Sequence, residues 1–257
     1  MLFSSREVAD FINATFEPAW ETVRPAPLVT IDFGNGRTVK RTLQGNIATY
    51  VCGPDGTVYD VLPGIYAPDV YREQLEAIEV FAASLQPRAG TTLSATAVAD
   101  KLNAYHSQQS RLLRAAPQPT PQMQAIAQTG GGFNGGGIAG IAGGNFGQFG
   151  NLGGQFGLKG GIERPLQRVV AGQVPTRAPA GAPQSSELKL DSEVNERIRR
   201  KDVHDKLAVS GRVQPNELKK WLYKNVLHAD LDDPMLGLED MLNASYPFAE
   251  EDRAAGR

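Results

Sequence analysis

Residues Ala48 to Gly64 read Ala-Thr-Tyr-Val-Cys-Gly-Pro-Asp-Gly-Thr-Val-Tyr-Asp-Val-Leu-Pro-Gly. The first five form a short apolar run, and Gly53-Pro54-Asp55-Gly56 then supplies each ingredient of a tight turn. Proline presets φ, aspartate bonds to its own backbone, and glycine takes positive φ without strain. Val58 to Leu62 returns as a second run, which Pro63-Gly64 stops. The segment predicts a β-hairpin. A first hairpin is expected upstream, because Leu28 to Phe33 and Thr38 to Leu43 flank Asn35-Gly36, and both turn residues tolerate positive φ.

Helices are expected on either side. Ser4 or Ser5 caps one, with Val8, Phe11, Ile12 and Thr15 at helical spacing. Phe16 to Val23 contains Pro18 and reads as a strand or extended segment, with Trp20 and Thr22 on one face. Pro68 opens a helix to Leu85, with Val70, Leu75, Ile78 and Phe81 near one stripe. Ser94 or Thr96 caps another, running to about Arg114. Its apolar positions (Val98, Leu102, Tyr105, and Leu112 or Leu113) are sparse.

The composition changes at Pro117. The tract Gly130 to Gly161 is half glycine, punctuated by Phe133, Phe146, Phe149 and Phe156. Such a stretch buries too little surface to offset its backbone entropy, and it reads as a disordered linker. Helical patterning returns near Glu187, with Val194, Ile198, Val203 and Leu207. Gly211 breaks it, and Pro215 starts another helix bearing Leu218, Trp221, Leu222 and Val226. A last short helix is expected over Leu236 to Leu242, followed by an apolar latch at Tyr246-Pro247-Phe248.

Several function classes are disfavoured. The net charge of -2 gives no electrostatic case for nucleic acid or anionic membrane. No apolar run reaches the roughly 18 residues of a membrane span. Cys52 is the single cysteine, so an internal disulfide and a cysteine-based zinc site are both excluded. Cys52 is expected as a small buried hydrophobe, with a redox-sensing thiol as the alternative. His106, His204 and His228 show no ligand spacing, so no metal site is expected. Asp230, Asp232 and Asp233 read as a solvated turn, because the run lacks the glycine and distal glutamate of a calcium loop. Arg197 to Lys201 reads as a solvated basic helix face. No phosphate-binding loop or nucleophile elbow is present, and no cofactor is expected.

Phe3 to Phe16, Gly45 to Gly56, Val58 to Gly64 and Pro68 to Leu85 together resemble the thioredoxin superfamily, over about the first third of the chain. Phe3 to Phe16 resembles its second helix, Gly45 to Gly56 its third strand and turn, Val58 to Gly64 its fourth strand, and Pro68 to Leu85 its closing helix. The resemblance implies a redox dithiol in a preceding strand and helix, which this chain lacks. It also implies a cis-proline before the third strand, where this chain has Ile47. A cis bond at a non-proline residue costs about 3 kcal/mol. Both halves of the family's redox site are therefore missing, and no catalytic residue is carried over.

The expectation is an α/β protein. Residues 1–87 would form a truncated thioredoxin-like sheet with flanking helices, and 88–116 an accessory helix. Residues 117–185 would be a Pro/Gly-rich linker, and 186–257 a small all-α segment. The expected function is a non-catalytic interaction or scaffold module with a protein partner. Its C-terminal helices would either dock on the first domain or bind a second partner, through Trp221, Leu222, Leu236, Tyr246 and Phe248. The alternative is a thiol-disulfide oxidoreductase whose Cys-x-x-Cys lies upstream of a misassigned start. A cytoplasmic location is expected for the chain as it stands, and a periplasmic or secreted one if an upstream segment exists.

Overall fold

A computed structural model describes residues 5–25, 28–32, 34, 36, 38–42, 47–85, 93–128 and 186–236. Helix α1 spans Arg6–Thr15. Strands β1 (Leu28–Asp32) and β2 (Thr38–Thr42) pair antiparallel, with Asp32 opposite Thr38. Strands β3 (Ala48–Cys52) and β4 (Val58–Pro63) form a second antiparallel pair. Helices α2 (Pro68–Leu85), α3 (Ala95–Ala115) and α4 (Pro121–Gln128) follow. Beyond the Gly-rich tract come α5 (Ser186–Val194), a π-helical stretch Asn195–Arg199, α6 (Arg200–Ser210) and α7 (Pro215–Asn225).

The chain is thus mixed helix and strand. Among the described residues, the strands make two separate two-stranded sheets rather than one continuous sheet. Both hairpins close through the chemistry of their turns. Gly56 sits at φ 78°, and Asp55 Oδ1 accepts the Thr57 N–H at 3.0 Å. Gly34 sits at φ 69°, and its N–H donates to Asp32 Oδ1 at 2.9 Å.

Every residue of β4 is buried. Leu62 packs with Val51, Val8 of α1, and Tyr71, Leu75 and Ile78 of α2. Val58 and Val61 instead join Val203, Leu207, Leu218, Leu222 and Leu227. The strand is therefore covered from two sides, once by its sequence neighbours and once by helices from beyond the Gly-rich tract. Burial on both sides accounts for an apolar run without alternation.

One expectation is narrowed and another corrected. Residues 16–23 form no strand, which leaves the extended alternative, the conformation Phe16 adopts at φ -126° and ψ 160°. Pro18 removes a ladder donor, and the segment is held by side chains instead. Arg24 donates to the Asp233 and Pro234 carbonyls at 3.0 and 3.1 Å, and Lys219 pairs with Glu21 at 2.9 Å. The expected linker also starts too early at residue 117. Pro121 fits the first turn of α4, Thr120 Oγ1 caps the Met123 N–H at 3.3 Å, and Met123 and Ile126 pack against Val194, Leu190 and Ile198. The Gly-rich tract, Tyr246, Phe248 and most of the expected Leu236 to Leu242 helix lie outside the described residues. No described helix is long and apolar enough to cross a membrane.

Candidate functional site

The sparse apolar face of α3 has a physical reason: its inner side carries polar groups that meet α6. His106 Nδ1 of α3 lies 2.9 Å from His204 Nδ1 of α6, across 98 positions of sequence. Asp60 of β4 completes the cluster, with Oδ1 at 3.9 Å from His204 Nδ1. Exposure is 0% for Asp60 and 1% for each histidine.

Asp60 is held at both oxygens. Its Oδ1 accepts the Val61 N–H at 2.7 Å, and its Oδ2 accepts from Arg200 Nη2 at 2.6 Å and Tyr105 Oη at 3.2 Å. Arg200 Nη1 also donates to Glu196 Oε2 at 3.0 Å and to Gln74 Oε1. Tyr105 is fixed in turn by stacking on Phe81, with ring centroids 3.8 Å apart and planes 9° apart.

Burial works against the Asp60 carboxylate, but the Arg200 guanidinium and the two imidazoles outweigh it and hold its pKa at about 2. Burial likewise opposes the Arg200 charge, and Asp60 with Glu196 more than compensates, raising its pKa. His204 goes the other way. Burial, with Arg200 and His106 nearby, lowers it to about 4. Burial also lowers His106, against the pull of Asp60. Both imidazoles are therefore neutral near pH 7, and one Nδ1 donates to the other. His106 Nε2 is buried and makes no well-formed hydrogen bond, although the Tyr59 backbone beside it favours the protonated ring.

The π-helical stretch places the cation. Arg199 and Arg200 are adjacent in sequence, yet only 4% and 5% exposed. Arg199 Nη1 bonds Asn195 Oδ1 at 2.6 Å, while Arg200 reaches Asp60. Such π-helical stretches often accompany functional sites. The expectation that Arg197 to Lys201 is a solvated face is thereby corrected, since two of its cations are buried against acceptors.

Other anticipated residues lie elsewhere. Cys52 is exposed at the end of β3, not buried, because its neighbour Val51 takes the inward position. Partial enclosure of the thiol, with Asp55 nearby, raises its pKa and disfavours the thiolate. Ile47 is 39% exposed, its carbonyl accepts the Gly64 N–H at 2.7 Å, and no described peptide bond is cis. Leu222 and Leu236 lie in the cluster with Val58 and Val61, and Trp221 packs at its margin. Asp230 and Asp233 form turns with the Asp232 and Met235 amides at 3.1 and 2.8 Å, while Lys224 and Lys220 pair with Asp230 and Asp232.

Linear spacing could not reveal the histidine pair, because three elements bring the cluster together. One signal was present: Asp60 interrupts Val58 to Leu62, and a carboxylate inside a buried strand requires a cation or donors. Chemically, the arrangement offers a pinned carboxylate oxygen and two neutral imidazole nitrogens, all within 4.8 Å of one another. Such a donor set fits a divalent metal ion. No protein-family model, curated protein or solved structure matches this chain.

Proposed function

We propose that this chain is a non-catalytic interaction or scaffold protein, in which the Asp60–Arg200 pair clasps the β3–β4 hairpin to the C-terminal helices. The observation that carries this reading is the sealing of the polar cluster, with Asp60, His106 and His204 at most 1% exposed. A general acid or base must come within hydrogen-bond reach of its substrate. These side chains face one another instead, and function then falls to the surface. The hairpin β3–β4 followed by the covering helix α2 supports a thioredoxin-like reading of this third of the chain. The lone thiol, which has no second cysteine to resolve an exchange, supports a non-redox role.

Two measurements on the full-length chain test the proposal. Photo-crosslinking residues at Val80 and Val209, 74% and 81% exposed, are expected to trap a defined protein in cells of the source organism. Incubation of the purified chain with a metabolite extract is expected to consume nothing. Turnover of a metabolite that disappears in Asp60→Asn would make the chain an enzyme and overturn the reading.

A further inference from the structure

We propose that Asp60, His106 and His204 form a binding site for one divalent transition-metal ion, zinc being the best match. The proposal does not depend on the scaffold reading. Three observations carry it.

The first is the donor set. Two imidazole nitrogens and one carboxylate oxygen suit zinc and its first-row neighbours, whereas calcium and magnesium require several more oxygens. The second is spacing. Donors about 2.0–2.1 Å from a tetrahedral zinc stand about 3.3 Å from each other. The separations here, 2.9 Å between the two Nδ1 atoms and 3.9 Å from His204 Nδ1 to Asp60 Oδ1, bracket that value. The three donor atoms lie within 4.8 Å of one another, so gathering them onto one ion takes side-chain shifts of up to about 1.5 Å. The third is the supporting shell. Asp60 Oδ2 is held by Arg200 and Tyr105, while Oδ1 accepts the Val61 N–H at 2.7 Å and keeps a second lone pair on the side of His204. Fixing a carboxylate through its outer oxygen is the usual support for a ligating one.

The proton count closes without a co-reactant. In the metal-free protein one Nδ1 carries the proton shared across the 2.9 Å contact. Metal binding needs both Nδ1 lone pairs, so that imidazole moves to its Nε2–H tautomer and both rings stay neutral. If His106 is the one that shifts, its buried and unbonded Nε2 gains a proton beside the Tyr59 backbone. The Arg200 charge does not bar the ion, because Glu196 and Asp60 both lie against that guanidinium. Three protein donors leave one tetrahedral position for a water.

The test uses the full chain, unfolded and refolded with chelator and then refolded with zinc or cobalt(II). One equivalent of either metal should be retained after gel filtration. Cobalt should give the visible absorption bands of a low-coordinate site. His106→Gln and His204→Gln should each weaken binding by more than about 100-fold while keeping the far-ultraviolet circular dichroism of the parent. If these variants fail to fold, X-ray absorption of the zinc-loaded parent decides, and should show imidazole and oxygen scatterers at about 2.0–2.2 Å. Three results would each overturn the site: no stoichiometric metal on the refolded parent, undiminished binding in a folded variant, or a metal shell lacking imidazole.

Discussion

Arg200 Nη2 donates to Asp60 Oδ2 across 2.6 Å, joining residues 140 positions apart whose side chains are 6% and 0% exposed. Removing one partner leaves an uncompensated buried charge, which costs about 3–5 kcal/mol. Asp60→Leu is therefore expected to lower the urea midpoint, with a loss of unfolding free energy in that range. Adding Arg200→Met should restore most of the loss, because a well-packed apolar pair is often as stable as the ion pair it replaces. If the double variant melts with the single one, the penalty comes from the orphaned Tyr105 hydroxyl and Val61 amide rather than from the charge.

Acid should weaken the metal-free protein before its carboxylates titrate. His204 moves from 6.5 to about 4 on folding, and His106 is also lowered. Asp60, Arg200, Tyr105 and Asp205 are the other titratable or charged groups around the pair. Between the two limits the unfolded chain binds protons that the folded one refuses, so stability rises with pH. The contribution is complete above the unfolded value of 6.5 and is lost as pH falls toward 4. The slope is about 1.4 kcal/mol per pH unit for each histidine. Glu196, raised by burial, works in the opposite sense near the lower end. Thermal melts should be flat above neutrality and decline on acidification. His204→Gln should reduce the decline, and a parent whose melting is unchanged down to the lower limit would show that the histidines do not fold in neutral form.

Local structure was legible where a residue's own chemistry decides it. The Gly53 to Gly56 turn, the Pro68 and Pro215 helix starts and the Gly211 stop all stand in the structure as composition and spacing suggest. What could not be read is whatever depends on a partner distant in sequence. Cys52 and Val51 are neighbours with opposite fates, decided by which face of β3 meets α1 and α2. His106 shows no ligand spacing in the sequence, and its partner His204 arrives from α6, 98 positions away. The π-helical stretch has no propensity signature, and the two consecutive arginines at its end are both buried.

The packing of C-terminal helices on the hairpin makes a further prediction. Leu222 is fully buried in the cluster containing Val58 and Val61. Leu222→Ala should cost about 2–5 kcal/mol, the range for a truncated core leucine. The loss should be felt far along the chain, as faster amide exchange at Val58 and Val61. Faster exchange confined to α7, with β4 unaffected, would show that the helix does not protect the strand.

Gly64 shows how tightly the end of β4 meets the π-helical stretch. Its φ is +87°, and an added Cβ would lie 2.7 Å from Asn195 Oδ1 and 2.8 Å from Asn195 Nδ2. Asn195 cannot easily retreat. It is fully buried, its Nδ2 donates to the Ile65 carbonyl at 2.7 Å, and its Oδ1 accepts from Arg199 at 2.6 Å. Gly64→Ala should therefore carry two costs. One is the left-handed backbone, about 1–2 kcal/mol. The other is the displacement of a buried hydrogen-bonded amide, about 1–3 kcal/mol. Gly36→Ala separates them, since Gly36 has φ +78° and nothing within 4 Å of its added Cβ. The Gly64 variant should be the less stable of the two by roughly the hydrogen-bond cost. Equal losses would mean that Asn195 yields freely and adds little to the grip between β4 and the C-terminal helices.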